Sequence, residues 1–174
     1  MDLETFNSME PQAARDVLMQ CCAATRWVAA VSAARPFATI HALQDAAFNS
    51  WLEMRKPDWL EAFAAHPKIG DINSLAERFA NTRALASGEQ SNVTGASAET
   101  LQALAQGNHD YEEKFGFIFI VFATGKSADD ILALLQKRLT HSRDQELAIA
   151  ASEQHKITTL RLQKLFAKPR GVQS

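Results

Sequence analysis

The chain has 174 residues, 47% of them hydrophobic and 22% charged, with a formal net charge of -2. That length predicts one domain, 1–174, burying on the order of 70% of the surface its unfolded chain exposes. The near-neutral balance, with no segment enriched in Lys and Arg, argues against a nucleic-acid partner, and no apolar run approaches the ~20 residues a membrane span needs.

Ala-rich and Leu-rich blocks with only 7 Gly and 5 Pro favour helices. The prediction is an all-α, single-domain bundle of about eight helices with one extended apolar segment near residues 115–123. Ser8 is expected to cap a first helix whose stripe is Ala14, Val17, Leu18, Cys21 and Cys22. Thr25 opens a second with Trp27, Val28 and Val31, closed by Pro36. Thr39 opens a third with Ile40, Leu43, Ala47, Trp51 and Leu52 inward, and Pro57-Asp58 starts a short fourth with Leu60, Phe63 and Ala64 inward. A fifth begins at Ser74 and fades near Ala86, and Ser87 to Ala96 is polar loop. Ser97 caps a helix through Leu101, Leu104, Ala105 and Tyr111 to about Lys114. Ser127 with Asp130 forms a capping-box start for Ile131, Leu134, Leu135 and Leu139, and a last helix runs from about Arg143 to Phe166.

The fourth helix should stop at His66, because Pro67 disfavours helical backbone for the residue before it. That places one imidazole at a helix end, which is either a structural histidine or a catalytic one. Glu89-Gln90, in a loop of small residues, is either turn decoration or an acid and amide reading the donors and acceptors of a small ring. Phe115-Gly-Phe-Ile-Phe-Ile-Val-Phe-Ala has strand-like composition but no second strand to pair with. It is therefore a tight hydrophobic helix turn, a lone buried crossing, or a backbone lining whose N–H and C=O groups meet a polar ligand. Arg161, between Ile157 and Leu165 at helical spacing, and Arg138, beside Leu134, Leu135 and Leu139, lie on apolar stripes. There a guanidinium must find acceptors or snorkel to water. His41, His109, His141 and His155 fall among polar neighbours in helical contexts and read as solvated. No spacing suits a metal and no glycine-rich phosphate loop is present. Adjacent Cys21 and Cys22 in a helix suit reduced thiols and a cytosolic setting, and the N-terminus does not read as a signal peptide.

Taken together, His66-Pro67-x-Ile69-Gly70, Glu89-Gln90, Tyr111-x-x-Lys114-Phe115-Gly116-Phe117 and Ile157-Thr-x-Leu160-Arg161-Leu162 resemble the 2-oxo-4-hydroxy-4-carboxy-5-ureidoimidazoline (OHCU) decarboxylases, in order and over nearly the whole chain. That family performs the last step from urate to (S)-allantoin. The resemblance implies an all-α fold, a homodimer, a cytoplasmic setting and a site without metal or cofactor. It assigns catalysis to His66, Glu89 and Arg161. Substrate binding falls to Pro67, Ala86, Ser87, Gly88, Glu89, Gln90 and the segment Ile118, Phe119, Ile120, Val121 and Phe122. The family's serine three places before the glutamate is Ala86 here, with Ser87 one place later. Two other classes are weighed beside it: a non-catalytic helical interaction module, and a sister ureide enzyme that hydrolyses a related urate product.

Overall fold

The computed structural model describes residues 1–66 and 96–167. Among these the chain forms eight helices and no strand: α1 (Leu3–Ser8), α2 (Pro11–Cys21), α3 (Thr25–Ala33), α4 (Ile40–Leu52), α5 (Lys56–Ala64), α6 (Ala98–Phe115), α7 (Ala128–Arg138) and α8 (Arg143–Phe166). The all-α class is as expected. The helix predicted from Ser74 and nearly all of the polar stretch from Ser87 lie outside the described residues. Two compact units are formed, one of Met1–Ala65 with the chain from Ala151 onward, the other of His66–Ala150.

In the first unit α3 packs against α2, α4 and α5, around a core that includes Phe6, Leu18, Trp27, Val31, Leu43, Trp51, Phe63, Leu162 and Phe166. Both buried indoles satisfy their N–H groups: Trp27 Nε1 donates to the Ala47 carbonyl at 2.9 Å and Trp51 Nε1 to that of Ala151 at 3.1 Å. α3 starts at Thr25 with Ala24 as its cap residue, which has no side chain to cap with. Glu61 of α5 supplies the acceptor instead, taking the Thr25 N–H at 3.1 Å and placing an anion at a helix N-terminus. Arg35 Nη1 donates to the carbonyls of Phe6 and Met9 at 2.8 and 3.0 Å, which ties the end of α1 to the α3–α4 connection. The Arg35–Pro36 bond in that connection is cis.

Three expectations are corrected here. Ser8 ends a helix rather than starting one, since Asp2 already caps α1 through Thr5 N–H at 2.7 Å and α2 begins on Pro11. On α4, Leu43, Ala47 and Trp51 are buried, but Ile40 and Leu52 are exposed, Leu52 by 62%. Leu52 is turned about 100° from Trp51 around the helix, and Ile40 precedes the buried stripe by a turn. On α5 the inward residues are Ala62 and Phe63, while Ala64 is exposed.

The second unit is built on α6 and α7, which pack together, with the first two turns of α8. Its core includes Leu101, Leu104, Tyr111, Phe115, Ile131, Leu135 and Leu147. Ser97 caps α6 through Thr100 N–H at 3.1 Å. Ser127 and Asp130 form the expected reciprocal box on α7, with bonds of 3.1 and 2.9 Å. Thr100 Oγ1 donates to Asp129 at 2.8 Å and so links the two helix starts. The helices approach closely because Gly107 of α6 faces Leu135 of α7: a Cβ at 107 would lie 2.7 Å from Leu135 Cδ2.

Candidate functional site

α5 is opened by Asp58, whose carboxylate accepts the Arg55 N–H at 2.8 Å, and is closed at Ala65. His66 follows immediately, out of the helix and half-buried, as the proline after it requires. Pro67, Ala86, Ser87, Gly88, Glu89 and Gln90 lie outside the described residues. Of the expected machinery, His66 and the segment 118–122 belong to the second unit and Arg161 to the first.

The segment after α6 is neither helix nor strand. Gly116 ends α6 in the left-handed region (φ 76°), a conformation costly for any residue with a Cβ, and its N–H caps Glu112 O at 2.8 Å. From Ile118 to Ala123 the backbone is irregular; Ile120 is buried, and Ile118, Phe119, Val121 and Phe122 are half-buried. The chain holds this shape with side chains instead of a ladder. Arg143 Nε donates to Phe115 O at 2.9 Å, Arg138 Nη1 to Ile120 O at 2.7 Å and Lys126 Nζ to Phe122 O at 2.8 Å. Of the alternatives the sequence left open, the helical turn is excluded. Among the described residues the segment crosses without a strand beside it, and the carbonyls of Phe115, Ile120 and Phe122 are committed to the protein itself.

Arg138, weighed from sequence between burial and snorkelling, is only 5% exposed. Its Nε donates to Glu146 Oε2 at 2.8 Å and its Nη2 to the Tyr111 hydroxyl at 3.2 Å, while the guanidinium carbon stands 4.6 Å from the Phe119 ring centroid. Glu146 is fully buried. It accepts from Arg138, from the Tyr111 hydroxyl and, on Oε1, from the edge of His141 through Nδ1 at 2.7 Å. Tyr111 stacks edgewise on Phe117 and Phe119, with centroids 5.8 and 5.2 Å away. Burial pushes its phenol well above the ordinary value of 10.0, against the pull of Arg138 and with a further push from Glu146, so it remains a hydroxyl donor. His141 is therefore not the solvated helical residue expected: it sits between α7 and α8 against a buried acid. Sequence reasoning also passed over Glu146, whose signal was its place beside Leu147 and four residues before Ala150 on the inward side of α8.

Arg161 is half-buried on α8, and its Nη1 donates to the carbonyl of Cys21, the last residue of α2, at 3.2 Å. A cation there complements the helix C-terminus and occupies one of the guanidinium's five donors. Beneath it, Cys21 and Cys22 are buried free thiols, pushed by burial from 9.0 up to about 11 despite the opposing field of Arg161. His155 packs against Phe48 with centroids 5.0 Å apart, and its partial burial lowers its pKa. Among the described residues no group of three or more His, Cys, Asp or Glu is placed to hold a metal ion, and no helix is long and apolar enough to cross a membrane.

Comparison with known proteins gives a consistent answer. The family model described as OHCU decarboxylase matches residues 7–163. The uric acid degradation bifunctional protein TTL of Arabidopsis thaliana is 37% identical over 147 residues, 84% of this chain and 45% of that protein, so the chain spans less than half of this relative. The 2-oxo-4-hydroxy-4-carboxy-5-ureidoimidazoline decarboxylase of Haloferax volcanii is 27% identical over 168 residues, covering 96% of this chain and 97% of that one. A crystal structure of OHCU decarboxylase in the presence of (S)-allantoin superposes with a TM-score of 0.70 at 34% identity, covering 91% of this chain and 99% of that one. The eight described helices, the lone irregular apolar segment and a sequence match across nearly all of the chain lead to one conclusion: the chain belongs to the OHCU decarboxylase family of carboxy-lyases.

Proposed function

We propose the following division of labour for the family's reaction, the decarboxylation of OHCU to (S)-allantoin in urate degradation. The substrate carries a hydroxyl and a carboxylate on one ring carbon, next to the carbon that bears the ureido group and is double-bonded to a ring nitrogen. When the bond to the carboxylate breaks, CO2 leaves and its electron pair forms a double bond between the two ring carbons. The C=N pair moves onto the ring nitrogen, which takes a proton. The resulting enol then gives up its hydroxyl proton to become the carbonyl of allantoin, and the ureido-bearing carbon gains a proton. The substrate is thus its own electron sink, and the protein's task reduces to placing protons and holding the ring.

His66, with Glu89, engages the hydroxyl and handles its proton. Gln90, Arg161 and the backbone of Ile118 to Phe122 hold the ring, with Pro67, Ala86, Ser87 and Gly88 also binding it, so that one face of the enol is protonated and the product is S. Support for this reading comes from the family match over residues 7–163, from a half-buried imidazole held just beyond a helix end, and from an irregular apolar segment with no strand beside it among the described residues. The family match carries it. It also supports treating 1–174 as one functional domain. A homodimer in a cytoplasmic setting belongs to the same reading, the setting supported by two buried free thiols.

The test is to feed freshly generated OHCU and follow CO2 release together with circular dichroism of the product. Rapid appearance of optically active (S)-allantoin is expected. A rate no greater than spontaneous decay, with racemic product, would reject the reading; stoichiometric binding without turnover would favour the interaction module.

A further inference from the structure

The site as described leaves one costly feature without a role. Burying an arginine and a glutamate together is weak evidence for stability, because desolvation cancels much of their attraction and well-packed apolar side chains hold a fold as well. Arg138 and Glu146, 5% and 0% exposed, are such a pair. Their geometry is directed at one place. From α7 the guanidinium spends Nε on Glu146, Nη2 on the Tyr111 hydroxyl and Nη1 on the carbonyl of Ile120, at 2.8, 3.2 and 2.7 Å, with its Cζ 4.6 Å from the Phe119 ring centroid. Glu146 in turn is fixed by Tyr111 and by His141 at 2.7 Å, and Tyr111 carries Phe117 and Phe119 on its edge. Besides the Tyr111–Phe115 ring contact at the end of α6 (4.5 Å), the contacts of this cluster with the apolar segment fall on Phe117, Phe119 and Ile120.

Among the described residues no strand lies beside that stretch. Its Ile120 carbonyl is met by a planar fork whose three directions are all engaged, and lysine cannot reproduce such a fork. We infer that Arg138, held by Glu146 and Tyr111, is a positioning residue: it sets the backbone of 117–120 through the Ile120 carbonyl and the Phe119 ring, and thereby the affinity for the ureido-substituted ring. The inference rests on the reading of Ile118 to Phe122 as substrate lining. Arg138 does not touch the reacting atoms, so its removal loosens binding while leaving the proton-handling groups in place.

The experiment uses Arg138→Lys in the full chain, assayed at a temperature where circular dichroism shows it folded. Losing a charge-assisted bond that shapes a binding surface should raise KM for OHCU, and Kd for (S)-allantoin, by about tenfold or more, with kcat within about threefold of wild type. Amide exchange across 118–122 should quicken in parallel. Tyr111→Phe, which releases Nη2 but keeps the Arg138–Ile120 bond, should raise KM in the same direction by a smaller factor than Arg138→Lys. If Arg138→Lys does not fold, Arg138→Met combined with Glu146→Leu takes its place with the same expectation. A lowered melting temperature with KM, product affinity and exchange unchanged would mean that the cluster is merely structural and would overturn the inference. The underlying reading is tested apart from it, in the wild type: if (S)-allantoin leaves the 118–122 amides unperturbed, the substrate lining itself is wrong and the inference falls with it. If those amides respond while Arg138→Lys binds normally, only the inference fails.

Discussion

Replacing Arg138 by Met withdraws a guanidinium from a carboxylate that has no exposure to solvent. Glu146 keeps the Tyr111 hydroxyl and His141, but its charge loses its buried counter-ion, which typically costs about 3–5 kcal/mol. The Ile120 carbonyl loses its 2.7 Å donor, worth about another 1 kcal/mol, while the methionine side chain refills most of the stem volume and adds little cavity cost. The expected loss is about 4–6 kcal/mol out of the ~5–15 kcal/mol of a typical domain. At roughly 2–4 °C per kcal/mol for a chain of this size, the melting temperature falls by about 8–24 °C. Urea and thermal unfolding at pH 7 measure both. Adding Glu146→Leu removes the stranded charge, so the double variant should recover at least about 2 kcal/mol relative to additivity. A loss below about 1 kcal/mol for the single change, or simple additivity in the double, would refute the buried-pair account.

Gly107→Ala should destabilise despite a helix-propensity gain of about 1 kcal/mol, because its Cβ would meet Leu135 Cδ2 at 2.7 Å and Cγ at 3.2 Å where Leu135 is fully buried. A net loss of about 1 kcal/mol in urea unfolding, relieved by Leu135→Val, is expected; net stabilisation would show slack between α6 and α7. The thiols set an alkaline limit. Cys21 and Cys22 stay protonated in the fold up to about 11, whereas an unfolded thiol ionises near 9.0. Below 9 both states bind the same protons; between 9 and 11 the unfolded state binds fewer, so stability falls with rising pH, by at most about 1.4 kcal/mol per unit for each thiol. The Cys21→Ala/Cys22→Ala variant should show a shallower fall across that window, and an unchanged slope would contradict burial as the cause.

Local signals were the legible part of this fold. Thr39, Ser97 and the Ser127–Asp130 pair mark helix starts because capping is settled within four residues. Periodicity alone misjudged the ends of α4, since an inward stripe says nothing of how far its neighbours extend over it; Ile40 and Leu52 were assigned inward and are exposed. At α3 the capping acceptor, Glu61, comes from 36 residues downstream and leaves no local trace. The same holds at the candidate site. Composition marked the segment near 115–123 as strand-like with no second such stretch in the sequence, and Arg138 as needing either acceptors or a path to water. It could not show that the two needs answer each other, because the bonds join Tyr111, Ile120, Arg138 and Glu146 across 27, 18 and 8 residues. His66 was legible at its helix end, whereas the carbonyl that Arg161 meets, that of Cys21, lies 140 residues away.

His66→Asn, compared with wild type on freshly generated OHCU, tests the central claim most directly. Its circular dichroism, melting temperature and affinity for (S)-allantoin should stay near wild type, while kcat falls by about 100- to 10,000-fold, the usual worth of a general acid–base group. A folded His66→Asn protein that turns over OHCU at close to the wild-type rate and still yields only the S product would contradict the account.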